Sequence, residues 1–349
     1  MMLNLAEGLA DRGCHVDLVL VKSRHAQLDD LPDTINVVKL PSNHTFSSLF
    51  ALSTYLKKNR PDALLAAKNR ANQVAVLARH LSGVSVRVGL RMGTTTTVAL
   101  QGKSTFKKWS WYLPMRWLYP KADAIIAVSA GVAEDLVRIT GLDSRRITVI
   151  ANPVITPRVD RLANVEPEHP WLQTKDVPVI IGAGRLTRQK DFPTLIRAFA
   201  RLHAKRRCRL IILGEGKDKA LLTNLSEQLK VAGDLDFPGF VDNPYAYMKS
   251  ADLFVLSSIW EGSPNVLTEA MGLGIPVVAT DCPSGPREIL QNGHYGPIVK
   301  MGDDKSMAEA MRSVLEKPPQ PDYVKQAVEK FRLEYSSKRY LEVLMGKKL

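Results

Sequence analysis

Several features common in proteins are scarce or absent in this 349-residue chain. It has three cysteines, Cys14, Cys208 and Cys282, far apart and without a C-x-x-C spacing, so neither a disulfide framework nor a zinc site is expected. The seven histidines include no i, i+4 pair. No apolar run approaches the roughly 18 residues of a membrane span, and no charged segment followed by an apolar core opens the chain. A cytoplasmic protein is therefore expected.

Acidic residues are scarce in one place. Residues 51–121 hold thirteen Lys or Arg against a single acid, Asp62, while the other residues carry 35 basic against 34 acidic side chains. The net charge of +13 thus belongs almost wholly to one segment. Such an excess points to an anionic partner on one face: a membrane surface, a phosphorylated acceptor or nucleic acid. No recognised nucleic-acid-reading module accompanies it, so no nucleic acid partner is expected.

With 45% hydrophobic residues the chain can bury large cores, and its length favours two domains. From residue 177 onward, short apolar runs alternate with longer amphipathic ones: "VPVIIGAG", a helix from Asp191, "CRLIILGEG", a helix near Lys219 to Val231, "ADLFVLS", a helix from Pro264, and "IPVVATD". Continuous apolar strands between helices imply a parallel sheet covered on both faces. The first half repeats the pattern in "HVDLVLV", "PDALLAA", "VSVRVGL", "ADAIIAVS" and "RITVIAN". The fold class is therefore α/β, two doubly wound Rossmann-like parallel-sheet domains facing a cleft. The boundaries expected are 1–155, 156–330, and a C-terminal helix in 331–349 packing back on the first domain. The stretch from "NPVITP" through "TKDVP", with five prolines, suits a linker. Ligands of such sheets bind beyond the carboxyl ends of the strands.

The most informative stretch is "EGSPNVLTEAMGLGIPVVATD", residues 261–281. Ser263 and Pro264 suit an N-cap and first helical position, which would turn the amides of Asn265, Val266 and Leu267 toward an anion. Glu261 would stand in the loop beside that anion, and Glu269 about 7.5 Å along the axis. Carboxylates repel phosphate but accept hydrogen bonds from sugar hydroxyls. "GAGRLTRQKDF" adds Gly184, Arg185 and Lys190 at a strand end, a guanidinium fork and an ammonium suited to a diphosphate. "LGEG" ends the next strand with Gly214 and Glu215, where small residues admit a planar ring. Singly, each has an ordinary reading: helix-dipole partner, solvated charge, common turn. Together they converge on the carboxyl ends of strands in one domain. "DLD", residues 234–236, reads as the beginning of a strand, so no metal is invoked.

These motifs, with "FPGFVDN", "VIANPV" and "ADAIIAVSAGV", resemble the family 4 retaining glycosyltransferases of the GT-B fold, along nearly the whole chain. The resemblance implies transfer of a hexose or N-acetylhexosamine from a nucleotide-diphosphate sugar, UDP by expectation, with retention and without a metal or other cofactor. The acceptor implied is a glycan or lipid-linked glycan of surface polysaccharide, lipopolysaccharide or glycolipid synthesis. It places Arg185 and Lys190 on the donor diphosphate, Glu261 on the transferred sugar and Glu269 on the ribose, with Pro238, Phe240 and the Gly214 loop flanking the base. Relatives carry a strand and a Gly-Gly turn before the helix that here begins the chain. A start site assigned too late or a truncated chain is the expectation. After "RVGL", where many relatives carry a His, Arg91 stands as the acceptor-side candidate. A sugar-nucleotide epimerase of the same fold and a non-catalytic UDP-sugar-binding protein are the alternatives.

"KSTFKKWSWYLPMRWLYPKAD" holds three of the five tryptophans, interleaved with cations. It reads equally as a core stripe of Phe106, Trp109, Leu113 and Trp117, or as a basic aromatic helix at a bilayer. The second reading would put residues 103–121 against the inner face of the cytoplasmic membrane.

Overall fold

The computed structural model describes residues 1–21, 32–42 and 44–347. It divides into two compact units, Met1–Pro153 joined by the chain from Leu333, and Val154–Arg332. Twelve strands are present among the described residues: β1 Val16–Leu20, β2 Ile35–Lys39, β3 Ala63–Ala67, β4 Arg87–Met92, β5 Ala124–Ala127, β6 Ile147–Val149, β7 Val179–Ala183, β8 Arg209–Leu213, β9 Leu235–Gly239, β10 Leu253–Leu256, β11 Val277–Thr280 and β12 Ile298–Val299. Two of them, β2 and β12, are absent from the sequence reading. "INVVK" alternates weakly, and β12 is two residues long.

In the first unit the parallel strands form two sheets, β1-β2 and β3-β4-β5-β6, where one doubly wound sheet was expected. Among the described residues β3 pairs with β4 alone and β1 with β2 alone, so the two sheets share no ladder there. The first helix, Met2–Ala10, places Leu5 with Ile126, Ile150 and Tyr340. Tyr340 belongs to helix Leu333–Met345, which returns to this unit. Close approach of that helix requires glycines: a Cβ on Gly8 would stand 2.6 Å from Leu333 Cδ1, and one on Gly89 2.5 Å from Leu344 Cδ2. Arg12 and Arg87 reinforce the contact by donating to the carbonyls of Glu334 and Leu344 at 2.6 and 2.7 Å. In helix Thr105–Leu118 the core residue is Met115, while Phe106, Trp109 and Trp117 are exposed, so the core-stripe reading fails.

The second unit has the strand order β12-β11-β10-β7-β8-β9, all parallel. Its chain starts in the middle at β7, runs outward to β9, then crosses to β10 on the other side of β7 and runs outward again. Val179, Ile180 and Ile181 are fully buried, as expected of a strand covered on both faces. One covering helix, Phe192–His203, packs Leu195, Ile196 and Phe199 against Leu210 and Ile212, and Met307 and Met311 of helix Asp304–Glu316 join the same core. The expected linker is instead folded into this unit. Helices Pro157–Ala163 and Pro170–Gln173 begin at prolines, whose missing N–H costs nothing at a first turn, and Val159 and Ala163 are buried. The reversal between β7 and β10 sends their following segments to opposite faces and opens a crevice at the carboxyl ends, where Gly184 and Ser257 emerge.

Candidate active site

Two loops are laced together at that crevice. The loop after β7 ends in a tight turn, Arg188–Lys190, followed by Asp191 in the left-handed region at φ 45°, where it begins helix Phe192–His203. The Ser257 hydroxyl donates to the Lys190 carbonyl at 2.6 Å, the Ile259 amide to the Gln189 carbonyl at 2.9 Å, and the Gln189 side-chain amide to the Trp260 carbonyl at 3.0 Å. The turn folds the Lys190 stem back over Gly184, where a Cβ would lie 2.7 Å from Lys190 Cε. Gly214 is more constrained still: at φ 127° its absent Cβ would sit 2.1 Å from the Gly184 carbonyl oxygen. These two glycines let the β7 and β8 ends nest, and the Gly214 amide donates to the Gly239 carbonyl at 2.7 Å.

Lys190 Nζ donates to Glu261 Oε1 at 2.7 Å, and both side chains are largely buried. The Ser258 hydroxyl donates to the same oxygen at 2.8 Å, while Thr280 Oγ1 donates to the Ser258 carbonyl at 2.5 Å. The expectation put Lys190 and Glu261 on separate groups of a ligand; the structure joins them in one ion pair. An ammonium has three N–H donors, so one bond to Glu261 leaves capacity for a phosphate oxygen. Arg185, by contrast, is exposed and its side chain has no hydrogen-bond or ion-pair partner among the described residues.

Helix Asn265–Gly272 begins one residue later than expected. Pro264 occupies the N-cap in an extended conformation and no side chain caps the helix, so Ser263 does not cap it. The Leu267 amide is spent on the Pro264 carbonyl at 3.1 Å and its side chain is fully buried. Leu267 therefore drops out of the proposed amide cradle, and Asn265 and Val266 remain in the partly exposed first turn. Part of the Glu269 side chain stays open to solvent, but its carboxyl lies deep among protein atoms. That burial pushes it up to about 7, with Lys190 pulling it back. Tyr245, in helix Pro244–Ser250, lies near enough for the Glu269 charge to add to the burial that raises its hydroxyl, opposed by Arg158.

On the β8 and β9 side, Glu215 and Phe240 are exposed and Pro238 is half-buried. The Glu215 carbonyl accepts from the Leu186 amide at 2.8 Å, and its carboxylate lies 3.7 Å from where a Gly239 Cβ would be. Gly184, Arg185, Lys190, Gly214, Glu215, Phe240, Glu261, Asn265, Val266 and Glu269 all belong to loops and first turns at the carboxyl ends of this one sheet, or to the helix that follows, and Pro238 is the next-to-last residue of β9. Arg91 stands apart. It lies on β4 of the other unit, 7% exposed, donating from Nε to the Tyr340 hydroxyl at 3.0 Å and from a terminal nitrogen to Asn152 Oδ1 at 2.6 Å. A guanidinium so enclosed holds the C-terminal helix on its sheet, and the acceptor-side role expected for it is withdrawn.

Sequence reading passed over Ser258, Thr280, Tyr245 and Arg158. The two hydroxyls follow or end strands β10 and β11, a position that could have marked them. Tyr245 and Arg158 come from helices far apart in sequence, and only folding brings the Tyr245 hydroxyl within reach of the charges of both Arg158 and Glu269.

Two family models divide the chain, a glycosyl transferase 4-like domain over residues 1–153 and the glycosyl transferases group 1 domain over residues 167–331. The chain belongs to the family 4 glycosyltransferases of the GT-B fold. It is 33% identical over 71% of its length to the N-acetylgalactosamine-N,N'-diacetylbacillosaminyl-diphospho-undecaprenol 4-alpha-N-acetylgalactosaminyltransferase of Campylobacter jejuni, covering 65% of that protein. It is 33% identical over 56% of its length to the lipopolysaccharide core biosynthesis glycosyltransferase LpsE of Rhizobium meliloti, covering 55% of that protein. The matched stretches thus span somewhat less than two thirds of these relatives. In three dimensions it resembles the apo lipopolysaccharide outer core galactosyltransferase WaaB, with a TM-score of 0.75 and 21% identity over 99% of this chain and 94% of that one. Anabaena Alr3699/HepE, solved with UDP and glucose, gives a TM-score of 0.77 at 17% identity over 99% of this chain and 95% of that one.

Proposed function

We propose that this GT-B chain is a retaining glycosyltransferase that moves a hexose or N-acetylhexosamine from a UDP-sugar to a glycan or lipid-linked glycan acceptor in surface polysaccharide or lipopolysaccharide synthesis. The observation that carries the reading is the buried Lys190–Glu261 pair on the same loops as the exposed Arg185, at the point where the strand order reverses. The named activities of the Campylobacter and Rhizobium relatives support the acceptor class, and the UDP bound by HepE supports the nucleotide.

In this reading Arg185 and the remaining N–H donors of Lys190 hold the diphosphate, with the Asn265 and Val266 amides at the positive end of their helix. As the sugar–oxygen bond lengthens, negative charge grows on the leaving diphosphate. Fixed cations placed there stabilise that charge by about 2–4 kcal/mol each and require no metal. Glu261, held by Ser258, accepts hydroxyl bonds from the transferred sugar and fixes its orientation. Glu269 accepts from the ribose. The acceptor hydroxyl attacks from the face the diphosphate leaves, its proton passes to the departing phosphate oxygen, and the anomeric configuration is retained.

The test incubates the protein with UDP-hexoses and UDP-N-acetylhexosamines, with and without lipid-linked glycan from a membrane extract, and with a chelator throughout. The expected result is a glycosylated lipid product with the donor's anomeric configuration by NMR. Loss of turnover under chelation, or an inverted product, would overturn the mechanism. Conversion of UDP-sugar without acceptor would mark an epimerase, and UDP binding with no transfer a donor-binding protein.

A further inference from the structure

The basic segment lies in the first unit, whereas the residues proposed to hold the donor all lie in the second. Its helix Thr105–Leu118 turns Met115 into the core, and Tyr112 and Leu118 pack against the same cluster. At roughly 100° per residue, Phe106, Trp109, Leu113 and Trp117 fall within about 80° of arc centred opposite Met115. Three of these four are largely exposed: Phe106 77%, Trp109 57% and Trp117 70%. The third tryptophan of the run, Trp111, faces elsewhere, half-buried with the Arg70 guanidinium 6.0 Å from its ring. Exposed Lys107 and Arg116 flank the aromatic arc on its two sides, and exposed Lys103 precedes the helix.

The neighbouring helices continue the pattern. Helix Asn69–Ser82 packs against Thr105–Leu118 and also against Ser48–Asn59. They expose Phe50, Leu77 and Leu81, with Phe46 just before the first of them, and the cations Lys57, Lys58 and Arg70. A soluble surface normally scatters its large apolar side chains singly; three neighbouring helices here carry six of them among cations, with Phe46 just before the first, and Asp62 is the one acid between residues 51 and 121.

We propose that this helical face docks on an anionic lipid bilayer, with Phe106, Trp109 and Trp117 at headgroup depth and the surrounding lysines and arginines on lipid phosphates. The charge decides between occupants. A second copy of the same face would bring like charge against like charge, whereas a bilayer rich in anionic lipid complements it. Aromatic rings flanked by cations are suited to the interface, where one end of the side chain is apolar and the other wet.

The experiment is flotation of the full chain with vesicles of phosphatidylcholine alone or mixed with phosphatidylglycerol, at low and high salt. Binding is expected to the mixed vesicles, to weaken with salt, and to be accompanied by a blue shift of tryptophan emission. Each cation removed, as in Lys103→Gln or Lys107→Gln, should weaken partitioning about fivefold. Trp117→Glu and Phe106→Glu should weaken it roughly tenfold or more, with thermal unfolding and UDP binding unchanged because both side chains are exposed. Equal affinity for neutral vesicles, no vesicle binding, or wild-type binding by the Glu variants would overturn the proposal. So would dimerisation in sedimentation that Trp117→Glu abolishes, since a second copy would then cover the face.

Discussion

The Lys190–Glu261 pair allows a quantitative test, because stability and donor binding should respond to it differently. At 2.7 Å and an effective dielectric near 20, the attraction is roughly 6 kcal/mol, set against several kcal/mol of desolvation for each ion. The intact pair is thus close to neutral, whereas removing one partner strands the other. Lys190→Met leaves a buried carboxylate, still accepting from Ser258, without its counter-charge, and should cost about 3–5 kcal/mol. For a unit of this size that is a fall in Tm of roughly 6–20 °C. Glu261→Gln keeps the shape but leaves the ammonium without its counter-charge. The double variant removes both charges together and should lose at least about 2 kcal/mol less than the two single losses added. Calorimetry on the four proteins at one pH supplies the cycle. Titration with UDP and with UDP-sugars supplies the second readout: Lys190→Met should weaken both by about tenfold to a hundredfold, Glu261→Gln only the sugar nucleotide. Additivity within about 0.5 kcal/mol would refute the coupling, and an equal loss of UDP affinity in both variants would refute the division of roles.

Arg185→Gln should leave Tm unchanged, since the side chain is exposed and has no partner among the described residues, yet weaken UDP binding about tenfold or more; a fall in Tm with normal binding would reverse that assignment. Glu269 carries a raised carboxyl, so the stability its neutral form contributes is full below its ordinary range and is lost as pH rises through about 7. The Tm of Glu269→Gln relative to wild type should therefore climb between about pH 5 and pH 8, while wild-type UDP affinity, which needs the ionised acceptor, falls on acidification more than the variant's does. Arg91→Met breaks two buried hydrogen bonds and should cost about 2–4 kcal/mol of stability, with the acceptor KM of the residual activity unchanged; a raised KM at normal Tm would restore an acceptor role.

What could be read from the sequence follows from how local the cause is. Val179–Ala183 and Leu253–Leu256 are continuous apolar runs because a strand covered on both faces has no other option, so their positions in the chain declare themselves. Gly184, Gly214 and Lys190 follow such runs by a few residues, which is why their clustering at the carboxyl ends of one sheet was legible in the sequence. The cap of helix Asn265–Gly272 was misread for an equally local reason: Ser263 has the right chemistry, but Pro264 is drawn toward Gly285, whose missing Cβ would lie 2.4 Å from Pro264 Cδ. That approach is a long-range fact no window around Ser263 contains. Arg91 shows the same limit from the other side. Its strand was evident, yet whether a guanidinium at a strand end meets a ligand or a tyrosine depends on a helix 249 residues away in sequence. The aromatic helix was undecided for a further reason, since a stripe at helical spacing looks identical whether it faces a core or water. Only the neighbours distinguish them, and here Met115 and Tyr119 had already filled the core side. Residue type and spacing therefore fix which chemistry is present at a strand end, and the partners brought from elsewhere in the chain fix whether that chemistry is spent on the fold or left for a ligand.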